Sequence, residues 1–283
     1  MINVLVTGGN GQLAACIKDV TKEINLVKCI YTDSEDLDIT AEDKVNQYFK
    51  DNKIDWVINC AAYTAVDKAE SEMELAVKVN KNGAKHLAIA CKNHKAKLIH
   101  ISTDFVFDGK SSSLYKETDE VNPLGVYGLT KLQGEQEIQN YCEEFFIFRT
   151  SWLYSEHANN FMKTMLKLAE SRTELKVVAD QIGTPTYATD LAEVMLKIIL
   201  EDNSKYGLYH YSNEGVASWY DFAYAIFELG KTSIHLYPIK SVEYPTPAER
   251  PKFSVMDKSK IKETFKLEIP YWRDSLKHAI NKL

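Results

Sequence analysis

Tyr127 and Lys131 are the residues whose types and spacing best fit acid–base chemistry. They stand four residues apart in a segment predicted to be helical, so both should project from one face, about 6 Å apart along the axis. A phenol has an unperturbed pKa of about 10, and a neighbouring ammonium group favours the phenolate. We therefore expect Lys131 to lower the pKa of Tyr127 and make it a proton donor or acceptor near neutrality. Thr103, which follows a predicted strand, could donate a hydrogen bond to the same substrate oxygen.

Such pairs also arise by chance on exposed helices, so the context of Tyr127 and Lys131 matters. Residues 8–14 (GGNGQLA) directly follow the first predicted strand and begin the first predicted helix. Glycines in this turn let a pyrophosphate lie against backbone N–H groups at the helix N-terminus. Ala14 replaces a final glycine, whose place requires only close packing of helix and strand. A plain glycine-rich turn would look similar, but the position after strand one favours dinucleotide binding.

The type of dinucleotide depends on the acidic residues after the second predicted strand. Asp33 could accept hydrogen bonds from an adenosine ribose, which slightly favours NADH, and Asp36 and Asp38 are further candidates. No arginine stands nearby to pair with the 2′-phosphate of NADPH. An acidic loop is equally typical of a solvated surface, so the sequence leaves both NADH and NADPH open.

Residues 59–64 (NCAAYT) end the third predicted strand with small side chains, which would leave room for a ligand or simply allow close packing. Other chemistries lack their motifs: there is no nucleophile elbow and no phosphate-binding P-loop. The seven histidines have no metal-ligand spacing, and we interpret the one at position 100, within a strand, as a packed residue. They are His86, His94, His100, His157, His210, His235 and His278.

The elements that must position these residues alternate along the first half of the chain. Short apolar runs at 2–6, 26–31, 56–59, 98–101 and 145–148 are predicted strands, and 11–22, 41–52, 70–93 and 124–143 are predicted helices. This alternation predicts an α/β fold, a Rossmann-type doubly wound parallel sheet covered by helices on both faces. After residue 150 the loops lengthen, with helices near 160–171, 189–200, 219–229 and 272–283. We expect 1–150 to form the NAD(P)-binding domain and 151–283 a smaller, mainly substrate-binding lobe on the same core, with some segments returning to the sheet.

Composition restricts the remaining possibilities. The chain has 283 residues, 45% of them hydrophobic and 26% charged, with 34 basic and 40 acidic residues and a net charge of −6. This balance, without a basic block, argues against nucleic-acid or membrane partners. No apolar run approaches the roughly 18 residues of a membrane span, and residues 2–6 lack the charged leader of a signal peptide. Five scattered cysteines without a CxxC motif are typical of reduced thiols, so we expect a cytoplasmic protein.

With these residues in place, the chain resembles the extended short-chain dehydrogenase/reductases and, within them, the family of dTDP-4-dehydrorhamnose reductases. The resemblance spans nearly the whole length. It is carried by VTGGNGQLA at 6–14, LDIT at 37–40, NCAAYTAVDKAE at 59–70, STDFVFDG at 102–109, YGLTKLQGE at 127–135, RTSWLY at 149–154, NNFMKTML at 159–166 and VADQIGTPT at 178–186, with Arg250 and Pro251 before the last helix.

The resemblance implies a role for each matching position. The cofactor would be NADPH or NADH, bound through Gly8, Gly11, Gln12 and Leu13 at the pyrophosphate, Asp33, Asp38 and Ile39 at the adenosine, and Ala61, Ala62, Tyr63 and Thr64 further in. Tyr127 would be the acid–base residue, and Lys131 would contact the nicotinamide ribose and tune Tyr127. Thr103 and Asp104 would hold the sugar at its 4-keto oxygen and nearby hydroxyls, and Trp152 would pack against its ring. The substrate pocket would be completed by Val66, Phe105, Asn160, Gln181 and Arg250.

The implied activity is NAD(P)H-dependent reduction of the C4 ketone of dTDP-4-dehydro-L-rhamnose to dTDP-L-rhamnose, a precursor for polysaccharides. Alternatives are a reductase or reductase–epimerase of another nucleotide deoxysugar, and a non-catalytic NADP-binding regulatory subunit of the methionine adenosyltransferase type. Some family members are dimers that bind Mg²⁺ through an acidic residue on the first helix. Cys16 stands at that position here and only Asp190 remains among plausible ligands, so we expect no metal and either a monomer or a homodimer.

Overall fold

The computed structural model describes residues 1–283 and contains twelve strands and eleven α-helices. The strands are β1 (Ile2–Thr7), β2 (Val27–Thr32), β3 (Trp56–Asn59), β4 (Lys97–Thr103), β5 (Phe145–Thr150), β6 (Leu153–Tyr154), β7 (Glu174–Val178), β8 (Ile182–Gly183), β9 (Thr186–Tyr187), β10 (Gly207–His210), β11 (Ala217–Ser218) and β12 (His235–Ile239). The helices are α1 (Gln12–Thr21), α2 (Glu42–Asp51), α3 (Val66–Ala69), α4 (Met73–Ala76), α5 (Ala84–His94), α6 (Val126–Tyr141), α7 (Phe161–Ala169), α8 (Ala188–Leu200), α9 (Trp219–Leu229), α10 (Ser259–Phe265) and α11 (Trp272–Asn281).

Six strands form one parallel sheet in the order β2-β1-β3-β4-β5-β10. This confirms the predicted Rossmann-type α/β fold. After β1 the chain builds first to one side, with β2, and then to the other, with β3. The strand order therefore reverses between β1 and β3, where Thr7 pairs with Asn59. In open α/β sheets, ligands bind in the crevice beyond the carboxyl ends of the strands at this switch point.

Helices cover both faces of the sheet, which explains why its strands are apolar almost throughout. Val4 and Ile58 point to one face and pack with residues of α1, α8 and α10. Their sequence neighbours Leu5 and Val57 point to the other face and pack with residues of α2, α5 and α6. No helix of the structure combines the length and the apolar character needed to cross a membrane, and all five cysteines are free thiols.

Residues beyond 150 contribute to this sheet and also form a core of their own. They supply its sixth strand, β10, and the covering helices α8 and α10. A separate apolar cluster joins α7, α9 and α11 around Tyr154, Phe222 and Trp272. The four helices predicted in this half are confirmed, whereas α10 and the short strands were not predicted.

The predicted helix over 70–93 is not a single α-helix. A short helix, α3, precedes it, and a wider π-type segment, Val77–Gly83, separates α4 from α5. Asn80 lies within this segment, and its side chain bonds the Tyr63 backbone and the Thr130 hydroxyl instead of solvent. A π-type turn inserts an extra residue into the helix, which is a common way to direct one side chain inward at a functional site.

Candidate active site

The carboxyl edge of the sheet brings together four of the predicted motifs. Gly8 directly follows β1, Ala61 follows β3, Thr103 ends β4 and Trp152 follows β5. All four strands run parallel, so these residues lie along one side of the molecule.

The glycine turn after β1 has the backbone geometry that close approach of a phosphate requires. Gly8 has φ of +68°, and a Cβ atom there would lie 2.8 Å from the Ala61 nitrogen. Helix α1 has Gly11 as its N-cap residue, without a side-chain cap and without an acidic residue in its first turn. The backbone N–H groups of Gln12, Leu13 and Ala14 find no acceptor in the protein. Unpaired donors at a positive helix end fit the pyrophosphate of a dinucleotide.

The acidic residues after β2 are engaged within the protein. Asp33 accepts backbone N–H bonds from Glu35 (2.8 Å) and Asp36 (3.2 Å) and pairs with the Asn10 amide of the glycine turn. The backbone bonds hold the pKa of Asp33 below its usual range. Asp38 likewise accepts from the hydroxyl (2.8 Å) and N–H (2.9 Å) of Thr40.

Ile39 directs its side chain into the core, where it is 5% exposed and packs against Gly83. Its carbonyl contacts the His86 ring at 2.9 Å. Only its backbone is therefore placed to contact an adenine.

The loop after β3 is fixed by Asn80 from the π-type segment. Asn80 accepts the Tyr63 N–H at 2.8 Å and donates to the Tyr63 carbonyl at 3.1 Å. Ala61 and Ala62 are half-buried beside the turn, whereas Thr64 is exposed. Asn80 also donates to the Thr130 hydroxyl at 3.1 Å, which connects this loop to α6.

Tyr127 lies in the first turn of α6 beside the end of β4. Its ring meets that of Phe105 edge-on, with centroids 5.6 Å apart. The nearby Thr103 hydroxyl favours the phenolate, but burial outweighs it and raises the pKa of Tyr127 to about 12. Tyr127 therefore lies close to Thr103, with its phenol in the protonated form at neutral pH.

Lys131 is directed into the sheet rather than towards Tyr127. Its Nζ donates to the Ile101 carbonyl at 2.6 Å and contacts His100 Nε2 at 3.2 Å. Burial lowers the pKa of Lys131 to about 8. The expected lowering of the Tyr127 pKa by this ammonium was thus wrong, because desolvation dominates at Tyr127 and Lys131 is turned away from it.

Asp104 is 2% exposed, and its Oδ1 accepts from the Thr103 hydroxyl at 3.1 Å. Its Oδ2 is buried without a hydrogen-bond partner. Burial raises the pKa of this carboxyl group to about 6. An unpaired buried acceptor beside Thr103 and Tyr127 fits a site that receives donors from a polyhydroxylated ligand.

Gln12 and Asn160, predicted for cofactor and substrate respectively, bond to each other. The Asn160 amide donates to Gln12 Oε1 at 2.8 Å, and Gln12 Nε2 donates to the Leu153 carbonyl at 3.1 Å. Asn160 also caps α7 by accepting the Lys163 N–H at 3.1 Å. The glycine turn is thereby tied directly to the second half of the chain.

Trp152 forms one side of an aromatic stack in the second half. The centroid of its ring lies 3.6 Å from that of the Trp219 ring, and the two ring planes are nearly parallel, at 9°. The backbone at Trp152 is left-handed, with φ of +48°, which is rare for a bulky residue and typical of functional sites. Gln181 accepts a bond from Trp219 Nε1 at 3.2 Å and donates to Ser241 at 3.0 Å. Trp152 and Gln181 are therefore joined through Trp219.

Arg250 reaches back to the first half and binds Asp67 on α3, next to Val66. Its two terminal nitrogens lie 3.0 and 2.9 Å from the two carboxylate oxygens. Val66 and Arg250, far apart in sequence, are thus brought close together, with the guanidinium engaged by a carboxylate.

The two positions considered for a metal, Cys16 and Asp190, are both surrounded by other groups of the protein. Cys16 is buried in the core, and the Asp190 carboxylate accepts bonds from Asn213 and Ser275, both at 2.5 Å. A different group, formed by Asp19, Glu156 and His157, has ligand atoms within 4.8 Å of one another. Two of these side chains already bond each other, and Glu156 pairs with Lys282 at 3.2 Å. Each of the three side chains therefore already has a partner within the protein.

Three residues that shape the site were not singled out for it from the sequence: Asn80, His100 and Trp219. His100 is a polar residue within an otherwise apolar strand, a pattern that signals an internal partner, whereas Asn80 lies among other polar residues and carries no such signal. The partner itself is not visible in the sequence. Trp219 carries no local signal that distinguishes it from a core aromatic.

The parallel sheet, the glycine turn at its switch point and the Thr103, Tyr127 and Lys131 set define a Rossmann-type protein of the short-chain dehydrogenase/reductase class. Within that class, the family model described as the RmlD substrate binding domain matches residues 2–283. The chain belongs to this family, which confirms the resemblance read from the sequence.

Similar proteins agree with this assignment. A dTDP-4-dehydrorhamnose reductase from Aggregatibacter actinomycetemcomitans is 42% identical, over 98% of both chains. A crystal structure of a dTDP-4-dehydrorhamnose reductase from Clostridium acetobutylicum superposes with a TM-score of 0.96 at 45% identity, covering 99% of each chain. The Bacillus anthracis dTDP-4-dehydrorhamnose reductase, solved in complex with NADP, has a TM-score of 0.95 at 39% identity and covers 100% of each chain.

Proposed function

We propose that the protein reduces the C4 ketone of dTDP-4-dehydro-L-rhamnose to dTDP-L-rhamnose with NADPH, and that Tyr127 donates the proton. The observation that carries the proposal is the position of Tyr127 in the first turn of α6, close to Thr103 at the end of β4 and on the same sheet edge as the glycine turn. Reduction of a ketone requires a protonated acid at the carbonyl oxygen. The raised pKa of Tyr127 keeps its phenol in that form across the physiological range.

The dinucleotide would lie on the glycine turn, with its pyrophosphate at the unpaired N–H groups of Gln12 and Leu13. NADPH, when bound, supplies the hydride for C4 of the sugar. The Bacillus anthracis relative bound to NADP supports NADPH over NADH. Lys44 and Lys78 favour the ionised form of Asp38, so positive charge suited to a 2′-phosphate lies near the predicted adenosine end.

The substrate would lie between Tyr127 and the second half of the chain. Thr103 would hold the ketone oxygen beside Tyr127, and the buried Asp104 carboxyl group would accept from a sugar hydroxyl. The Trp152–Trp219 stack offers a flat apolar face for the deoxysugar ring. Asn160, Gln181 and Arg250 are held around this region by bonds to Gln12, Trp219 and Asp67 respectively.

Replacing Tyr127 by Phe tests the proposed acid directly. We expect kcat for NADPH oxidation to fall by roughly 10²–10⁴-fold, the usual contribution of a positioned acid. NADPH affinity should change little. Tyr141→Phe is the matched control, since it removes the same atom from the exposed far end of α6. Unchanged kcat in Tyr127→Phe would contradict the proposed role.

Substrate and cofactor choice are tested by the loss of NAD(P)H absorbance with dTDP-4-dehydro-L-rhamnose generated in situ. A GDP-linked 4-keto sugar is run beside it, and each is measured with NADPH and with NADH. Turnover of the dTDP sugar with NADPH is expected. Turnover of the GDP sugar alone would indicate another deoxysugar reductase, and NADPH binding without turnover of either would indicate a regulatory subunit.

A further inference from the structure

Helix α6, which carries Tyr127 in its first turn, begins without a cap of its own. Its N-cap residue is Gly125, which has no side chain, and its first turn contains no acidic residue. The first N–H groups of a helix have no acceptor within the helix, and they form the positive end of the helix dipole. The start of α6 therefore depends on a partner from outside the helix.

That partner is Glu70, the residue directly after α3. Its Oε1 accepts the Val126 N–H at 2.9 Å. The N–H groups of the next two residues, Tyr127 and Gly128, find no acceptor in the protein. The Glu70 carboxylate stabilises the start of α6 through this hydrogen bond and through its negative charge at the positive end of the helix.

The Glu70 carboxylate occupies the space that a side chain at Gly125 would need. A Cβ atom at Gly125 would lie 2.6 Å from Glu70 Oε1, closer than two such atoms can approach. The backbone at Gly125 is extended, with φ of −143° and ψ of 173°, so other residues could adopt it. Room for Glu70, rather than backbone conformation, therefore requires glycine at this position.

The backbone around Glu70 is itself held in place. The preceding residue, Ala69, is fully buried. After Glu70, the N–H groups of Ser71 and Glu72 donate to the Lys68 carbonyl at 3.0 and 2.9 Å. The carboxylate therefore reaches α6 from a hydrogen-bonded turn with a buried anchor.

The same first turn of α6 packs against the 3₁₀ turn that follows β4. A Cβ atom at Gly128 would lie 2.2 Å from the Phe105 carbonyl oxygen, so the two backbones are in direct contact. Tyr127 lies between this contact and the Glu70 bond. A displacement of the first turn would therefore move Tyr127 relative to Thr103 at the end of β4.

We propose that Glu70 is a positioning residue that caps α6 from outside the helix and thereby fixes Tyr127 beside the end of β4. The inference deepens the proposed function and rests on it for its kinetic consequence. A proton donor acts only at the correct distance from the ketone oxygen, and a misplacement of about 1 Å can cost about 10²-fold in rate. Helix α3 also carries Asp67, which binds Arg250. The helix thus connects the predicted substrate pocket to the start of α6.

Hydrogen exchange of the Val126 amide, followed by NMR, tests the hydrogen bond without substrate or turnover. Glu70→Ala removes the acceptor and should speed the exchange about tenfold, the effect of roughly one net hydrogen bond. Glu70→Gln keeps an acceptor oxygen, so exchange should stay close to that of the unmodified protein. Glu74→Ala is the matched control, because it removes the same charge from an exposed residue in the first turn of α4.

Steady-state kinetics test the positioning role. We expect kcat to fall about tenfold in Glu70→Ala, with KM for the nucleotide sugar and NADPH affinity nearly unchanged. Glu70→Gln and Glu74→Ala should keep a kcat close to that of the unmodified protein. Asp67→Asn, on the same short helix, should change KM instead. A general loosening of α3 would change both parameters in both variants.

Gly125→Ala tests the same bond with the Glu70 side chain present, since the new Cβ pushes the carboxylate away from Val126. Its kcat should match that of Glu70→Ala. The double variant should lose no more activity than either single variant, because both changes remove one interaction.

Three results would overturn the proposal: unchanged Val126 exchange in Glu70→Ala, faster exchange with unchanged kcat, or losses of kcat that multiply in the double variant. If Glu70→Ala does not fold, Gly125→Ala carries the same test. Unchanged kcat in Tyr127→Phe, with the Val126 amide still protected by Glu70, would instead count against the proposed function alone.

Discussion

Arg250 binds Asp67 through two parallel hydrogen bonds, from Nη1 to Oδ1 at 3.0 Å and from Nη2 to Oδ2 at 2.9 Å. The Ala248 N–H donates to the same carboxylate at 3.2 Å, and Arg250 also donates to the Thr246 hydroxyl at 2.6 Å. The pair therefore folds the loop between β12 and α10 onto helix α3, next to the loop that follows β3. Bidentate pairing with a carboxylate fixes orientation as well as distance.

Asp67→Asn should weaken substrate binding more than it weakens the fold. Its pair with Arg250 is partly exposed, at 24% and 41% for the two side chains, and such pairs contribute about 0–1 kcal/mol. The loop it holds carries a predicted substrate residue, so we expect KM for the nucleotide sugar to rise several-fold with little change in kcat. Steady-state kinetics and urea unfolding measure the two effects.

Glu228→Gln is the control for this variant, because it breaks the similarly exposed Arg273–Glu228 pair elsewhere. It should leave KM unchanged. An equal rise in KM in both variants would show that the Asp67–Arg250 pair has no special relation to the substrate.

Glu135→Ala should destabilise the whole protein strongly. Glu135 and Arg149 are 1% and 3% exposed, and the arginine donates to both carboxylate oxygens. Removing the carboxylate leaves a buried guanidinium without its partner, which costs about 3–5 kcal/mol. Urea unfolding at neutral pH measures the loss. Glu201→Ala, which breaks an exposed pair with Lys197 four residues away, should cost no more than about 0.5 kcal/mol.

The sheet was largely predictable because each early strand combines continuous apolar residues with a following turn. The strands at 2–6 and 56–59 are examples, and buried parallel strands require this pattern. The sixth strand, Gly207–His210, was missed because four residues that include a glycine and a histidine carry no strand signal. Tertiary packing alone determines it, since Tyr209 and His210 are buried only through contact with β5 and the segments around it.

The site was predictable where function depends on sequence spacing and not where it depends on tertiary partners. Tyr127 lies near Thr103 at the edge of the sheet because α6 is the helix that follows β4 in the chain. The direction of Lys131 depends instead on His100, a residue 31 positions away on another element. Trp152 likewise finds its partner in Trp219, and helical spacing could not reveal that stack.

Gly8→Ala should abolish dinucleotide binding as well as reduce stability. The left-handed φ of +68° and the Ala61 backbone, 2.8 Å from the new Cβ, both oppose the substitution. Relieving the contact must shift the turn that carries the unpaired N–H groups of α1. We expect at least a tenfold weaker NADPH affinity, measured by NADPH fluorescence. Gly207→Ala is the control, because its φ of +141° is also unfavourable but its Cβ would meet only Tyr209, at 4.0 Å. That variant should lose stability and keep NADPH affinity.

Asp104 should make stability fall as pH rises from about 4 to 6. The pKa of this carboxyl group is about 6 in the folded protein, against 3.8 as its ordinary value. Between these values the unfolded chain releases the proton while the folded protein retains it, so rising pH favours unfolding. The full difference corresponds to about 3 kcal/mol, as an order of magnitude. Chemical denaturation across this pH range, in the unmodified protein and in Asp104→Asn, measures it.

The difference between the two proteins isolates this carboxyl group, because the amide does not titrate. We expect Asp104→Asn to gain stability relative to the unmodified protein as pH rises through 4–6, and to lose nucleotide-sugar affinity at neutral pH. Asp257→Asn is the control of opposite sign. Its carboxylate accepts the Ser259 N–H at 2.7 Å, which lowers its pKa, so the unmodified protein should lose stability relative to this variant as pH falls. If Asp104→Asn shows no pH-dependent gain in stability, the pKa of Asp104 in the folded protein is not raised above its ordinary value.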